Sequence, residues 1–113
     1  GDQVAVQYAG KNRDRLDRMV RASRKSLAEH IASLHAAVAS GDAVTAHLCV
    51  HSMKSVAAYI GAAELHESAC AAENHANARD MDGLRGMVPV LASRVTDVLR
   101  AIDSADWNAL NGL

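Results

Sequence analysis

The chain has 113 residues, a formal net charge of -1 and a hydrophobic content of 50%. This length suits one domain with a buried core and is too short for two ordinary domains. The nearly neutral charge gives no overall attraction to nucleic acid or to an anionic membrane, and no apolar run approaches the roughly 18 residues of a membrane span. We therefore expect a single soluble domain, with a core from about residue 13 to residue 102 and a C-terminal tail at 103–113.

The composition favours helices over strands. Alanine is the most common residue, phenylalanine is absent and there is one proline, so the β-branched and aromatic runs typical of strands are few. Cys49 and Cys70 lack metal-binding spacing and are interpreted as reduced thiols of a cytoplasmic protein. The composition thus predicts an all-α fold.

The first predicted helix covers about residues 13–39, where apolar side chains recur at intervals of three and four. They are Leu16, Met19, Val20, Leu27, Ile31, Leu34 and Val38. Residues 1–10 are expected to add at most a short extra helix. Basic residues crowd the N-terminal third of the chain, and we interpret them as a solvated helix face rather than a nucleic-acid site.

The second predicted helix begins after Asp42, a suitable N-cap residue, and runs from Ala43 to Tyr59 or Ile60. Gly61 follows and is expected to end it, since glycine readily adopts the left-handed conformation. The expected buried stripe of this helix consists of Ala46, Cys49, Val50, Met53, Ala57 and Ile60.

Two more helices are predicted, at about residues 62–78 and 82–102. The third has a narrow stripe of small residues, and the fourth has a broad aliphatic stripe in which Pro89 predicts a bend or a break. Expected core positions are Leu65, Ala69, Ala72, Ala76, Leu84, Met87, Val88, Leu91, Val95, Leu99 and Ile102. Short connections predict an antiparallel up-down four-helix bundle. The tail after Asp103, with Trp107, receives no assignment.

At about 100° per residue, the buried stripe of the second helix leaves His51 on the opposite, solvent side. The same side carries Lys54, Ser55 and Ala58, which lie three, four and seven residues after His51, and His47, which lies four residues before it. The helix therefore displays an imidazole among mostly small residues and one cation, a surface that another protein could approach closely.

The stretch HSMKSVAAYIGAAEL resembles the signature of histidine-containing phosphotransfer (HPt) domains. The matching positions are His51, Met53, Lys54, Ser55, Gly61 and Leu65, with Glu73 at the family's acidic position in the next helix and Ile31, Leu34, Ala37 and Asp42 upstream. The resemblance covers roughly residues 27–102. Two residues differ from the family pattern: Ser55 stands where glycine is usual, and Ala72 stands where leucine is usual. The first long helix also lacks the aromatic residue that is often found there in the family.

The resemblance implies that His51 is the phosphorylated nucleophile and that Lys54 gives electrostatic support to the phosphoryl group. It further implies that His47, Ser55 and Ala58 belong to the surface on which a partner docks. The motif's Gly61 and Leu65 are expected to be structural, and Glu73 is also interpreted as structural rather than catalytic.

The partners implied by the resemblance are the receiver domains of a hybrid sensor kinase and of a response regulator. No cofactor is expected on this chain, because Mg²⁺ and the reacting aspartate would come from the receiver domain. The chain would be a carrier without kinase activity of its own, monomeric in isolation. Its first residue, Gly1, fits a module excised from the cytosolic end of a membrane-bound kinase, although a free-standing protein remains open.

Two alternative functions follow from the same residues. The bundle could bind partners without chemistry, with His51 as an ordinary surface residue. Alternatively, His47 and His51 have the i, i+4 spacing that can chelate a metal ion, although the paired Glu-x-x-His motifs of a di-iron bundle are absent from the sequence. The other four histidines, at positions 30, 35, 66 and 75, are expected to have no chemical role.

Overall fold

The computed structural model describes residues 2–104, with side chains from residue 12 onward. It contains four α-helices: α1 (Asp2–Ser40), α2 (Ala43–Ile60), α3 (Ala63–Asn77) and α4 (Met81–Asp103). Residues 2–104 contain no strand, which confirms the all-α prediction. Within this range, no helix combines the length and apolar character needed to cross a bilayer. Trp107 and the rest of the tail lie outside the described residues.

The helices pack as a ring in which α1 contacts α2 and α4, and α3 also contacts α2 and α4. Each connection has two or three residues, so consecutive helices run in opposite directions. This arrangement confirms the predicted antiparallel up-down four-helix bundle. It places α2 and α3 side by side along the surface that carries His51.

Helix α1 is much longer than predicted. Its 39 residues span about 58 Å, whereas the 18 residues of α2 span about 27 Å. The N-terminal part of α1 therefore extends past the end of the bundle. Residues 2–10 belong to this continuous helix, so a separate N-terminal helix does not form. The sequence offers no proline between these segments that would interrupt the helix.

The core confirms most of the apolar stripes read from the sequence. Leu27, Leu34, Met53, Leu65 and Leu91 are fully buried. The buried stripe of α2 agrees with the prediction, with Ile60 partly buried at its end. Leu16 was expected to be buried and is exposed, because it lies near the end of the bundle where α1 begins to extend past the shorter helices. Val98 and Ala101 are additional core residues that the sequence analysis did not assign.

Both predicted ends of α2 are confirmed. The carboxylate of Asp42 accepts hydrogen bonds from the backbone N–H and the hydroxyl of Thr45, at 3.1 and 2.6 Å. At the other end, Gly61 has φ +76° and the amide of Ala62 donates to the carbonyl of Ala57 at 2.9 Å. This left-handed stop turns the chain directly into α3.

Pro89 lies within α4 without ending it. The helix runs unbroken from Met81 to Asp103, so the break that the sequence allowed does not occur. Pro89 has no amide hydrogen to donate to the carbonyl of Arg85. Both residues are exposed, and water can therefore satisfy that carbonyl.

The turn into α4 depends on a glycine at position 83. The carboxylate of Asp80 caps α4 by accepting the amide of Gly83 at 2.9 Å, and it also contacts Nδ1 of His75 at 3.0 Å. A Cβ at position 83 would overlap with both the Asp80 carboxylate and His75 Nδ1. By contrast, a Cβ at Gly86, one turn later, would contact nothing within 4 Å.

We therefore expect opposite effects from the same substitution at these two positions. Gly83→Ala should lower the free energy of unfolding by about 1 kcal/mol, because the Asp80 cap must move. Gly86→Ala should raise it by about 0.5–1 kcal/mol, because alanine favours a helix interior over glycine. Urea denaturation of both variants measures the difference. Equal effects of the two substitutions would contradict the proposed contact at Gly83.

Candidate functional site

The site lies where α2 and α3 pack side by side. Position 73 is 22 residues after His51, but the antiparallel connection at Gly61 brings Glu73 next to the His51 face of α2. Helix α3 presents Ala69 and Ala72 to the core, both fully buried. Such small side chains permit close packing of the two helices, so a glutamate on α3 reaches across to α2.

His51 is exposed but held in place on one edge. Its side chain is 58% exposed, and its Nδ1 lies 2.7 Å from Oε2 of Glu73. An ionised carboxylate can only accept a hydrogen bond, so Nδ1 is the ring nitrogen that carries a proton. In the neutral imidazole, Nε2 then holds the free lone pair. Because the two nitrogens lie on different edges of the ring, Nε2 remains available to a partner.

Lys54 binds the other oxygen of the same carboxylate. Its Nζ lies 2.5 Å from Oε1 of Glu73, and the side chain of Glu73 is only 13% exposed. The hydrogen bond to Glu73 raises the pKa of Lys54. In turn, the hydrogen bonds from Lys54 and then from His51 lower the pKa of Glu73 against the effect of its desolvation. Glu73 is therefore ionised at neutral pH and joins the two α2 residues.

These contacts were not anticipated from the sequence. The sequence predicts a structural role for Glu73 and electrostatic support of the phosphoryl group by Lys54. The structure places Glu73 in direct contact with the imidazole of His51, and it engages Lys54 with this carboxylate. One feature of the sequence did indicate that Glu73 could belong to the site: it occupies the acidic position of the family that the sequence resembles. Spacing within one helix could not show which residue of α3 lies opposite His51.

The predicted docking residues surround His51 on the same helix. Ser55 and Ala58 are exposed, and His47 is partly buried. The hydroxyl of Ser55 donates to the backbone carbonyl of His51 at 3.2 Å, which keeps this short side chain against the helix. Space therefore remains open on the side of His51 toward the C-terminal end of α2. The role of these residues in docking stays a prediction.

Large apolar side chains extend this surface beyond the predicted residues. Val44 is exposed two turns before His51 and Leu48 one turn before it, and Tyr59 is 66% exposed two turns after it. Their helical positions place them on the outer side of α2 with His51. Exposed apolar side chains that cluster on one face are typical of a protein interaction surface.

Potential metal ligands do not cluster in the described part of the chain. Among residues 12–104, no three histidine, cysteine, aspartate or glutamate side chains are grouped as a metal site. Of the two ring nitrogens of His51, Nδ1 is hydrogen-bonded to Glu73. Cys49 and Cys70 are free thiols, and burial raises the pKa of Cys49. The motif residues Gly61 and Leu65 have structural places, as the end of α2 and a buried side chain of α3.

Comparison with protein families matches the chain to the model described as the Hpt domain. The match extends over residues 18–105, which include the C-terminal part of α1 and all of α2, α3 and α4. The matched region contains His51, Lys54 and Glu73. No curated protein and no solved structure matches the chain.

The lowered pKa of Glu73 predicts how the bundle responds to acid. Because the folded state favours the carboxylate, its contribution to stability is fully present above the ordinary glutamate pKa of about 4.3, and it is lost as pH falls through the lower folded value. The unfolding free energies of the wild type and Glu73→Gln should therefore differ by a constant amount above about pH 5. Below that pH, the two values should converge.

Urea denaturation across this pH range measures the difference. Glu67→Gln is a matched control, since Glu67 is an exposed glutamate of α3 with no ion pair among the described residues. Its effect should be smaller than that of Glu73→Gln at neutral pH. A difference between the wild type and Glu73→Gln that grows in acid would contradict the assignment of Glu73 as an ionised bridging group.

Proposed function

The chain belongs to the Hpt domain family, and on this premise we propose that His51 carries a phosphoryl group between aspartates of receiver domains. Hpt domains act in histidine phosphotransfer within phosphorelays and interact with receiver domains. The observation that supports His51 as the carrier is its exposed imidazole, whose Nδ1 is bound to Glu73. The other ring nitrogen, Nε2, is thereby left as the nucleophile.

The transfer step requires only one bond to form and one to break. The lone pair of His51 Nε2 attacks the phosphorus of an aspartyl phosphate on the receiver domain. The phosphorus–oxygen bond breaks with its electron pair on the aspartate, which leaves as a carboxylate. The proton on Nδ1 stays in place throughout. In the onward step, the aspartate of a second receiver domain attacks the phosphorus, and neutral imidazole leaves.

Glu73 would assist this step through the charge on the ring. When Nε2 forms its bond to phosphorus while Nδ1 keeps its proton, positive charge develops on the imidazole. The carboxylate of Glu73, 2.7 Å from Nδ1, stabilises that charge and holds the ring orientation. This arrangement follows the general pattern in which a carboxylate orients a reacting histidine.

Lys54 would act chiefly by balancing Glu73. Its ammonium group neutralises the carboxylate that would otherwise repel an incoming phosphoryl group. At an exposed site, attraction between one lysine and one negative charge is worth about 1 kcal/mol, far less than catalysis of phosphoryl transfer requires. In this proposal, Mg²⁺ and the reacting aspartate are therefore supplied by the receiver domain, and the chain is a carrier rather than a kinase.

The proposed partners are the receiver domains of a hybrid sensor kinase, as donor, and of a response regulator, as acceptor. Support for docking comes from the composition of the surface around His51. Ser55 and Ala58 leave room for the approach of the receiver pocket, and the exposed Val44 and Leu48 supply apolar area for burial. A partner that covers these residues would also exclude water from the reacting groups.

Phosphorylation by a receiver domain tests this function directly. Purified receiver domains, loaded with labelled phosphate and Mg²⁺, are incubated with the full chain. We expect label on the chain that is acid-labile and base-stable, as a phosphoramidate is. This label should appear on the chain as the aspartate of the receiver domain loses it.

The test variant is His51→Gln, and its matched control is His35→Gln, which removes an exposed histidine of α1. His51→Gln should abolish labelling, whereas His35→Gln should retain it. Circular dichroism confirms that both variants are folded. Labelling that persists in His51→Gln would show that another residue is the carrier. A wild type that no receiver domain labels would favour the alternative of an interaction module without phosphotransfer.

A further inference from the structure

A second surface feature lies between α1 and the C-terminal end of α2. It is an open groove of about 470 Å³, and we call it the basic groove. Its main lining residues are Arg15, Arg18, Met19, Ala22, Val56 and Tyr59. It lies where the last turns of α2 meet α1, which continues past the end of α2.

Apart from Ser23 and Ser26, the floor of the basic groove is apolar, and part of it is accessible. Met19 and Val56 are partly buried against the core, whereas Ala22 is exposed. Tyr59 has 66% of its surface exposed, although a tyrosine ring would gain considerable free energy from burial. An apolar side chain from a partner could cover this floor and remove the ring from water.

The rim of the basic groove carries charge that the described residues do not neutralise. Arg15 and Arg18 are exposed, and neither forms an ion pair within residues 12–104. The next three cations of α1 differ in this respect: Arg21 pairs with Asp17, Arg24 with Asp103 and Lys25 with Glu29. The groove therefore combines an apolar floor with two available guanidinium groups, which suits an apolar side chain next to a carboxylate.

The basic groove lies within reach of a protein bound at His51. Tyr59 follows His51 by eight residues, which is about 12 Å along the helix axis, and Ser55 lies midway on the same side. A typical interface buries about 800 Å² on each partner and so extends roughly 16 Å from its centre. A receiver domain centred on His51 would thus reach Tyr59 and the near end of the groove.

We propose that the basic groove is a second contact site for the receiver domain docked on His51, and that it takes an apolar side chain flanked by a carboxylate of that domain. The proposal rests on the proposed function, because it assigns a further part of the same partner to this surface. Its role is partner selection. Receiver domains that carry the apolar side chain and the flanking carboxylate bind more tightly, while the chemistry at His51 is unchanged. Contacts remote from the reacting atoms act in this way on KM rather than on kcat.

Charge reversal on the rim tests the proposal with a matched control. Arg15→Glu and Arg18→Glu change the groove, whereas Arg13→Glu makes the same change on an exposed residue of α1 that does not line it. With a phosphorylated receiver domain that labels the wild type, each groove variant should raise the KM of transfer about fivefold and leave kcat unchanged. Arg13→Glu should have little effect on either constant.

The floor is tested in the same assay. Tyr59→Ser should raise the KM about tenfold, as expected for loss of an aromatic contact in an interface. Leu16→Ser is its control, because Leu16 is an exposed apolar residue of α1 outside the groove. Phosphoramidate, a small donor that needs no docking surface, should label His51 equally in the wild type and in all five variants.

Several outcomes would overturn the proposal. Unchanged KM values for the three groove variants would show that the receiver does not contact the groove, while wild-type transfer would leave the proposed function intact. An equal effect of Arg13→Glu would show that general charge attraction is sufficient. If Arg18→Glu converts a dimer to a monomer in light scattering without changing KM, the occupant is a second copy of the chain. Failure of every receiver domain to label the wild type would overturn both proposals.

Discussion

The carboxylate of Glu73 is the group on which the arrangement of the site depends. It contacts the imidazole of His51 with one oxygen and the ammonium group of Lys54 with the other, and it joins α3 to α2. A single carboxylate thus fixes the tautomer and orientation of an otherwise exposed histidine. It also requires a nearby cation, since its charge is largely removed from water.

This contact depends in turn on how α2 and α3 are joined. Gly61 ends α2 in the left-handed conformation, and only Ala62 separates it from the first residue of α3. A short connection leaves little freedom in the offset between the helices. A shift of one residue along α3 would rotate Glu73 by about 100° around the helix and remove it from His51. The fully buried Leu65, Ala69 and Ala72 oppose such a shift, because it would expose them.

The fold was largely predictable because periodicity and caps agree in this chain. The stripe of α2, the Asp42 cap and the Gly61 stop are local signals, and all three are confirmed. The errors concern properties that local patterns do not determine. Leu16 has the phase of a core residue but lies where the bundle ends. The predicted fourth helix does continue across Pro89, and it does so without a break because the carbonyl left unpaired is on an exposed face.

The site was predictable only in part for the same reason. The outward direction of His51 follows from the phase of α2 alone, and the exposed position agrees with it. The bridge through Glu73 requires the relative rotation and offset of two helices, and the sequence does not state these. The basic groove is a similar case, since it lies where the last turns of α2 meet α1.

The most direct test of this account is the position of the phosphoryl group on the ring of His51. Heteronuclear NMR of the phosphorylated full chain, labelled with ¹⁵N in histidine, distinguishes the two nitrogens by their coupling to phosphorus. Because Glu73 binds Nδ1, the account predicts coupling to Nε2 and a proton retained on Nδ1. Coupling of phosphorus to Nδ1 would contradict the account, since that nitrogen could not then donate to Glu73.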